Sequence, residues 1–185
     1  MEHPSVTELL AACNLGPDYS RVPVATMDHA KLRGQALHLA IRYALEGILD
    51  ESSVHPQIQG GFAAFRRFER ESGFKPLDGW VERELIHPAW KFRGHPDVFG
   101  HLNGGLALVD WKTNSFDERA TRLQLAGYSL LYQAAGSDEP LAQCVVVELH
   151  LDGTYRVVAI EAKSQEQTFL AALVVYRALQ EKGRS

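Results

Sequence analysis

The sequence predicts one α/β (α+β) domain, a central mixed β-sheet flanked by helices. Three observations lead there. Its segments run helix, helix, three strands, helix, two strands, helix, an order that places helices around a sheet. Two tight-turn pairs, Asn103-Gly104 and Asp152-Gly153, each sit between apolar runs and mark β-hairpins. A chain of 185 residues, 45% hydrophobic and 23% charged, is the size and composition of one globular core.

Residues 1–27, with Pro4, Pro17 and Pro23, read as an irregular N-terminal segment, and residues 28–185 as the domain. A first helix starts near Asp28, a residue able to cap it, and carries Leu37, Ile41, Ala44, Leu45 and Ile48 as an apolar stripe. A second spans residues 57–72, with Phe62, Phe65 and Phe68 on it and Gly73 as terminator. Strands follow over residues 80–86, 92–102 and 106–112, the last two joined at Asn103-Gly104. A helix over residues 117–135 ends at Gly136. Strands over 143–151 and 154–161 form the second hairpin. A final helix runs from Ser164 to about Glu181, with Gln167 completing a capping box.

Composition excludes several classes. No run approaches the ~18 apolar residues of a membrane-spanning helix. Met1-Glu2-His3-Pro4 has no basic stretch followed by an apolar one, so no signal peptide is read and a cytoplasmic protein is expected, in the host cytoplasm for a phage-encoded chain. Cys13 and Cys144 are the two cysteines, too few for a four-cysteine iron–sulfur cluster. The net charge of −4 and pI near 6.1 run against a dedicated nucleic-acid binder. A local basic patch beside an acidic metal site would reconcile the two, and Arg66, Arg67, Arg70, Arg83, Lys91, Arg93, Arg119 and Arg122 gather mid-sequence.

The central hairpin carries the chemistry. With Asn103-Gly104 as the turn, Leu102 pairs with Gly105, and counting outward sets Asp97 against Asp110. Opposed side chains there have Cβ atoms roughly 4.5–5.5 Å apart, and two carboxylates so placed repel. A divalent cation between them reverses the sign, and hard oxygen ligands favour Mg2+, with Mn2+ as substitute. Lys112 lies two residues beyond Asp110 and shares its face, while Val98, Val109 and Trp111 point to the other. A one-residue slip would destroy the set. A metal ion with an ammonium group alongside can activate water and steady the negative charge that develops on a phosphodiester. The ordinary alternative is a surface ion pair between Asp97 and Lys112.

Gly94-His95-Pro96-Asp97 followed by Val109-Asp110-Trp111-Lys112-Thr113 resembles the signature of the PD-(D/E)xK nuclease superfamily, a single restriction-endonuclease-like domain. The resemblance is to its RecB-type, phage-exonuclease-like branch, with Gln124 and Tyr128 supplying a Gln-x-x-x-Tyr element and Gly34 to His38 a glycine-histidine element on the first helix. It covers roughly half the chain, residues 34–128, and the Asp110 position holds Glu in many relatives. The resemblance implies Asp97, Asp110, His38 and the Trp111 backbone carbonyl as metal ligands, and Lys112 as the catalytic lysine. An upstream glutamate joins them. Glu82 and Glu84 share a strand face and both qualify, with Val81-Glu82 through His87-Pro88 favouring Glu82. Gln124 and Tyr128 would position the lysine and, with Arg93, Arg119 and Arg122, contact DNA. The implied function is an Mg2+-dependent deoxyribonuclease, exonuclease-type, in recombination, repair or phage DNA processing, with DNA and a recombination or annealing protein as partners. Two other classes stay open: a nucleic-acid-binding module that keeps the fold without cleaving, and an assembly protein whose acidic pair is incidental.

Overall fold

The structure is a computed structural model that describes residues 3–18, 20 and 23–182. Met1 and Glu2, part of the N-terminal reading above, lie outside the described residues. In chain order the elements are α1 (Val6–Ala12), α2 (Val24–Leu45), a 3-10 turn (Glu51–Ser53), α3 (Pro56–Ser72), β1 (Lys75–Val81), β2 (Leu85–Ile86), β3 (Arg93–Gly94), β4 (Val98–Leu102), β5 (Gly105–Thr113), α4 (Glu118–Ala134), β6 (Leu141–Leu149), β7 (Tyr155–Ile160), a second 3-10 turn (Lys163–Gln165) and α5 (Glu166–Lys182). No helix among the described residues is long and apolar enough to cross a membrane.

Five strands form one mixed sheet in the order β1-β4-β5-β6-β7, and β2 pairs with β3 in a separate two-stranded sheet. The β5–β6 pair is parallel and the other neighbours are antiparallel. A parallel pair needs a long crossover, and α4 is that crossover. Helices cover both sheet faces. On one, Leu37 and Ile41 of α2 and Phe62, Phe65 and Phe68 of α3 pack on Val98, Val109, Trp111, Val145 and Val147. On the other, Leu9 of α1, Leu123 and Ala126 of α4, and Phe169 and Leu173 of α5 pack on Phe99, Leu106, Leu108 and Val146. Odd and even positions of β5 and β6 thus serve two separate cores, as the period-2 geometry of a strand requires.

The hairpin register is the one the turn predicts. Leu102 pairs with Gly105 and Val98 with Val109. Asn103 and Gly104 have φ of 53° and 82°, the two positive values of a type I′ turn. Pro56 opens α3, and Gly73, at φ 64°, ends it in the left-handed conformation.

Several boundaries differ from expectation. The segment read as irregular contains α1, closed by a full capping box. The Ser5 hydroxyl accepts from the Glu8 N–H at 3.2 Å, and the Glu8 carboxylate accepts from the Ser5 N–H at 2.8 Å. Val6, Leu9 and Leu10 are buried, so this helix belongs to the main core. α2 begins at Val24 behind Pro23, leaving Asp28 inside its second turn rather than at its cap. It stops at Leu45, which leaves Ile48 outside the stripe and 67% exposed. The strand expected over 80–86 breaks at Glu82, whose φ is 48°, and the one expected over 92–102 breaks at Pro96, which has no N–H for a ladder. Ser164 lies in a 3-10 turn and its N–H donates to the Glu161 carboxylate at 3.2 Å, so the predicted Ser164–Gln167 box does not form and α5 starts at Glu166.

The Phe68 ring lies 5.7, 5.6 and 5.6 Å from those of Phe74, Trp111 and Tyr155. Phe68→Ala is expected to cost about 3–5 kcal/mol of stability, the range for a fully buried ring, measured by urea denaturation.

Candidate active site

The site lies where β5 runs past the start of β4, between α2 and α4. Extending the β4–β5 ladder by one residue sets Asp97 opposite Asp110. Asp97 is held from two sides: its Oδ2 accepts the Trp111 N–H at 2.7 Å, and its carbonyl accepts the Glu82 N–H at 2.8 Å. The first bond ties the Asp97 carboxylate to the peptide between Asp110 and Trp111. The second turns the chain back at Glu82. There, His38 from α2 completes a group: one ligand atom each from His38, Glu82 and Asp97 lie within 4.8 Å of one another. His38 Nδ1 stands 3.5 Å from Asp97 Oδ1.

Asp110 faces the same space from β5 but stands outside that trio. It is 1% exposed, and its Oδ2 lies 2.8 Å from Lys112 Nζ without an aligned hydrogen bond. Lys112 Nζ donates to Gln124 Oε1 at 3.3 Å, and Gln124 Nε2 donates to the Tyr128 hydroxyl at 3.2 Å. Gln124 and Tyr128 are one turn apart on α4, the spacing that lets such a relay form. The glycine of Gly94-His95-Pro96-Asp97 has a steric role in it. A Cβ at Gly94 would lie 2.7 Å from Tyr128 Cε1, so only glycine lets β3 approach the tyrosine. At Gly34 a Cβ would meet Thr113 Oγ1 at an ordinary 3.9 Å.

The remaining sequence candidates separate cleanly. The two glutamates share no strand face: Glu82 lies in a bend directly after β1, while Glu84 pairs outward with Arg93 at 3.0 Å and His95 at 3.9 Å. Arg93 also donates to the His3 carbonyl, and Arg122 is paired with Glu118, so both are engaged away from the trio. Arg119 lines a cleft of about 970 Å³ beside Gln124, with Lys31 and Asn14. A second cleft of about 440 Å³ opens directly on the trio and is lined by Gln35, His38, Arg42, Glu82 and Asp97. Arg42 and Lys31 were not singled out from sequence. Arg42 sits one turn beyond His38 on the same helix face, a spacing that does signal it.

Crowded carboxylates set the electrostatics. Burial raises Glu82 to about 7, with the Asp97 charge adding to the effect. Burial also raises Asp110, opposed by the Lys112 ammonium and reinforced by Asp97. Asp97 itself is held below the ordinary carboxylate range, because the His38 and Lys112 charges outweigh its burial. His38 is the counterpart: burial disfavours its charge, but the Asp97 carboxylate outweighs this and lifts it to about 9. Without metal, His38 is therefore an imidazolium near neutral pH, and ligation by it must release a proton.

Because the folded-state value for His38 lies above the usual 6.5, its contribution to stability is complete below pH ~6.5 and disappears as pH rises through about 9. With a chelator present, the melting temperature of the wild type relative to His38→Asn should fall steadily across that window. A constant difference between the two proteins would contradict the assignment.

No family model matches the chain, and no curated protein matches it. Solved structures similar to it include an alkaline exonuclease (LHK-Exo) from Laribacter hongkongensis, at a TM-score of 0.46 and 15% identity over 98% of this chain and 93% of that chain. The same exonuclease in complex with dAMP matches at a TM-score of 0.45 and 13% identity, over 98% and 93% of the two chains.

Proposed function

We propose that the protein is a metal-dependent nuclease that hydrolyses phosphodiester bonds in DNA, with Mg2+ as cofactor and Mn2+ as substitute. The observation that carries this reading is the convergence of Asp97, Asp110, Glu82, His38 and Lys112 at the end of one strand. Three carboxylates without a cation would repel one another there. The donor set fits a hard divalent ion: carboxylate oxygens dominate, and the buried Asp110 Oδ2 has no aligned hydrogen bond. Asp97, Asp110, Glu82, His38 and the Trp111 carbonyl would hold the ion, which when bound supplies charge neutralisation and an activated water.

The chain's own groups do the rest. Lys112 orients the attacking water and donates to the phosphate oxygens as negative charge grows on them. Gln124 fixes the ammonium from α4, and Tyr128 fixes Gln124. Lys31 and Arg119 offer cations to flanking phosphates from the larger cleft, and Arg42, which is paired with Glu46 at 2.9 Å, lines the smaller one. The resemblance of the sequence motifs to the RecB-type branch favours exonuclease action in recombination, repair or phage DNA processing.

End-labelled linear DNA and covalently closed DNA, incubated with protein and Mg2+, test this directly. The wild type should degrade the linear form and spare the closed one, and Lys112→Ala should lose about 10²–10³-fold in rate, as when one preorganised donor is removed. Millimolar Mg2+ should raise the melting temperature, since a ligand of the native state alone must stabilise it. Equal inactivity of both proteins on every substrate, with no metal-dependent melting shift, would end the reading.

A further inference from the structure

Lys112 has a second acidic neighbour that the motifs do not include. β5 and β6 run parallel with Lys112 in register with Glu148, so the two side chains leave the same sheet face from strands roughly 4.8 Å apart. β7 then sets Arg156 opposite Glu148, with Arg156 Nε 2.5 Å from Glu148 Oε2. Three adjacent strands thus carry a row of charges: ammonium, carboxylate, guanidinium. The row lies one step outside the row that holds Asp110, where the neighbouring strand offers only Val146.

Glu148 is 3% exposed, whereas the Arg156 side chain is 64% exposed. A carboxylate removed from water needs a partner to offset its desolvation, and one exposed arginine is a solvent-screened partner. The register supplies Lys112 as the cation on its other flank. The arrangement matters most when Asp110 Oδ2, now 2.8 Å from Lys112 Nζ, is committed to a cation. The ammonium then gives up that carboxylate and faces a like charge.

We propose that Glu148 is a positioning residue for Lys112, balancing its charge from the adjacent strand while Arg156 keeps the carboxylate from drawing the ammonium away from the site. The catalytic consequence rests on the nuclease reading above, but the coupling between Glu148 and Lys112 does not.

The test is a double-mutant cycle of wild type, Glu148→Gln, Lys112→Met and the double variant, with Glu148→Asp in place of Glu148→Gln should the latter not fold. Melting temperatures in chelator are expected to be non-additive, the loss from Glu148→Gln shrinking when Lys112 is already methionine. The Mg2+ concentration giving half of the melting shift should rise about 10-fold in Glu148→Gln, but little in the Lys112→Met background. On linear DNA, Glu148→Gln should lower kcat by about 10–100-fold with KM nearly unchanged, and Glu148→Asp should recover part of it. Additive melting shifts would overturn the proposal, as would a well-folded Glu148→Gln with wild-type kcat. Non-additive shifts in a protein inert on DNA would leave the coupling standing and the nuclease reading lost.

Discussion

Three carboxylates crowded at one end of a strand are the constraint around which this protein is arranged. Asp97, Asp110 and Glu82 come from three different stretches of chain, and bringing them together works against both desolvation and mutual repulsion. The fold answers with two cations from opposite sides. His38 descends from α2 onto Asp97, and Lys112 follows Asp110 along β5. Each carboxylate is shifted by its own balance of burial and neighbours, Asp97 downward, Asp110 and Glu82 upward. Titratable groups pushed apart in this way are concentrated at functional sites.

The cores hold that arrangement rigid. Trp111 sits between Asp110 and Lys112 and turns the other way, into the rings of Phe65, Phe68 and Phe74. Its backbone N–H is also the donor to Asp97. One residue therefore locks β5 against α3 and tethers the carboxylate of the neighbouring strand. On the opposite face α4 packs through Leu123 and Ala126, which presents Gln124 and Tyr128 toward the lysine. Placing polar groups on elements buried along their other faces keeps the site from collapsing onto its own ion pairs.

Energetically the site is a loss to the fold that the remainder carries. Asp110 is buried with its Oδ2 2.8 Å from the Lys112 ammonium, and the desolvation of such a pair can exceed the attraction within it. The row formed by Lys112, Glu148 and Arg156 extends the polar region one strand further than the motif residues, in a sheet whose neighbouring positions are valines. A buried carboxylate between two more exposed cations is an arrangement that packing alone would not select.

Much of this was legible locally. Asn103-Gly104 dictates a type I′ turn, the turn dictates the register, and the register dictates that Asp97, Asp110 and Lys112 share a face while Trp111 does not. Helical spacing likewise joins Gln124 to Tyr128. The capping box at Ser5 and Glu8 is equally local, in a segment whose prolines suggest irregular chain. Tertiary structure alone decided which glutamate joins the group, because the bond from the Glu82 N–H to Asp97 turns the chain there and sends Glu84 outward to Arg93. It also decided that Arg93 and Arg122 are engaged elsewhere, and that Glu148, 36 positions from Lys112 (148 − 112), stands beside it. Turns and helix faces follow from neighbours in the chain, whereas the pairing of β5 with β6 and the docking of α2 on β1 and β5 join residues that only the packed core brings together.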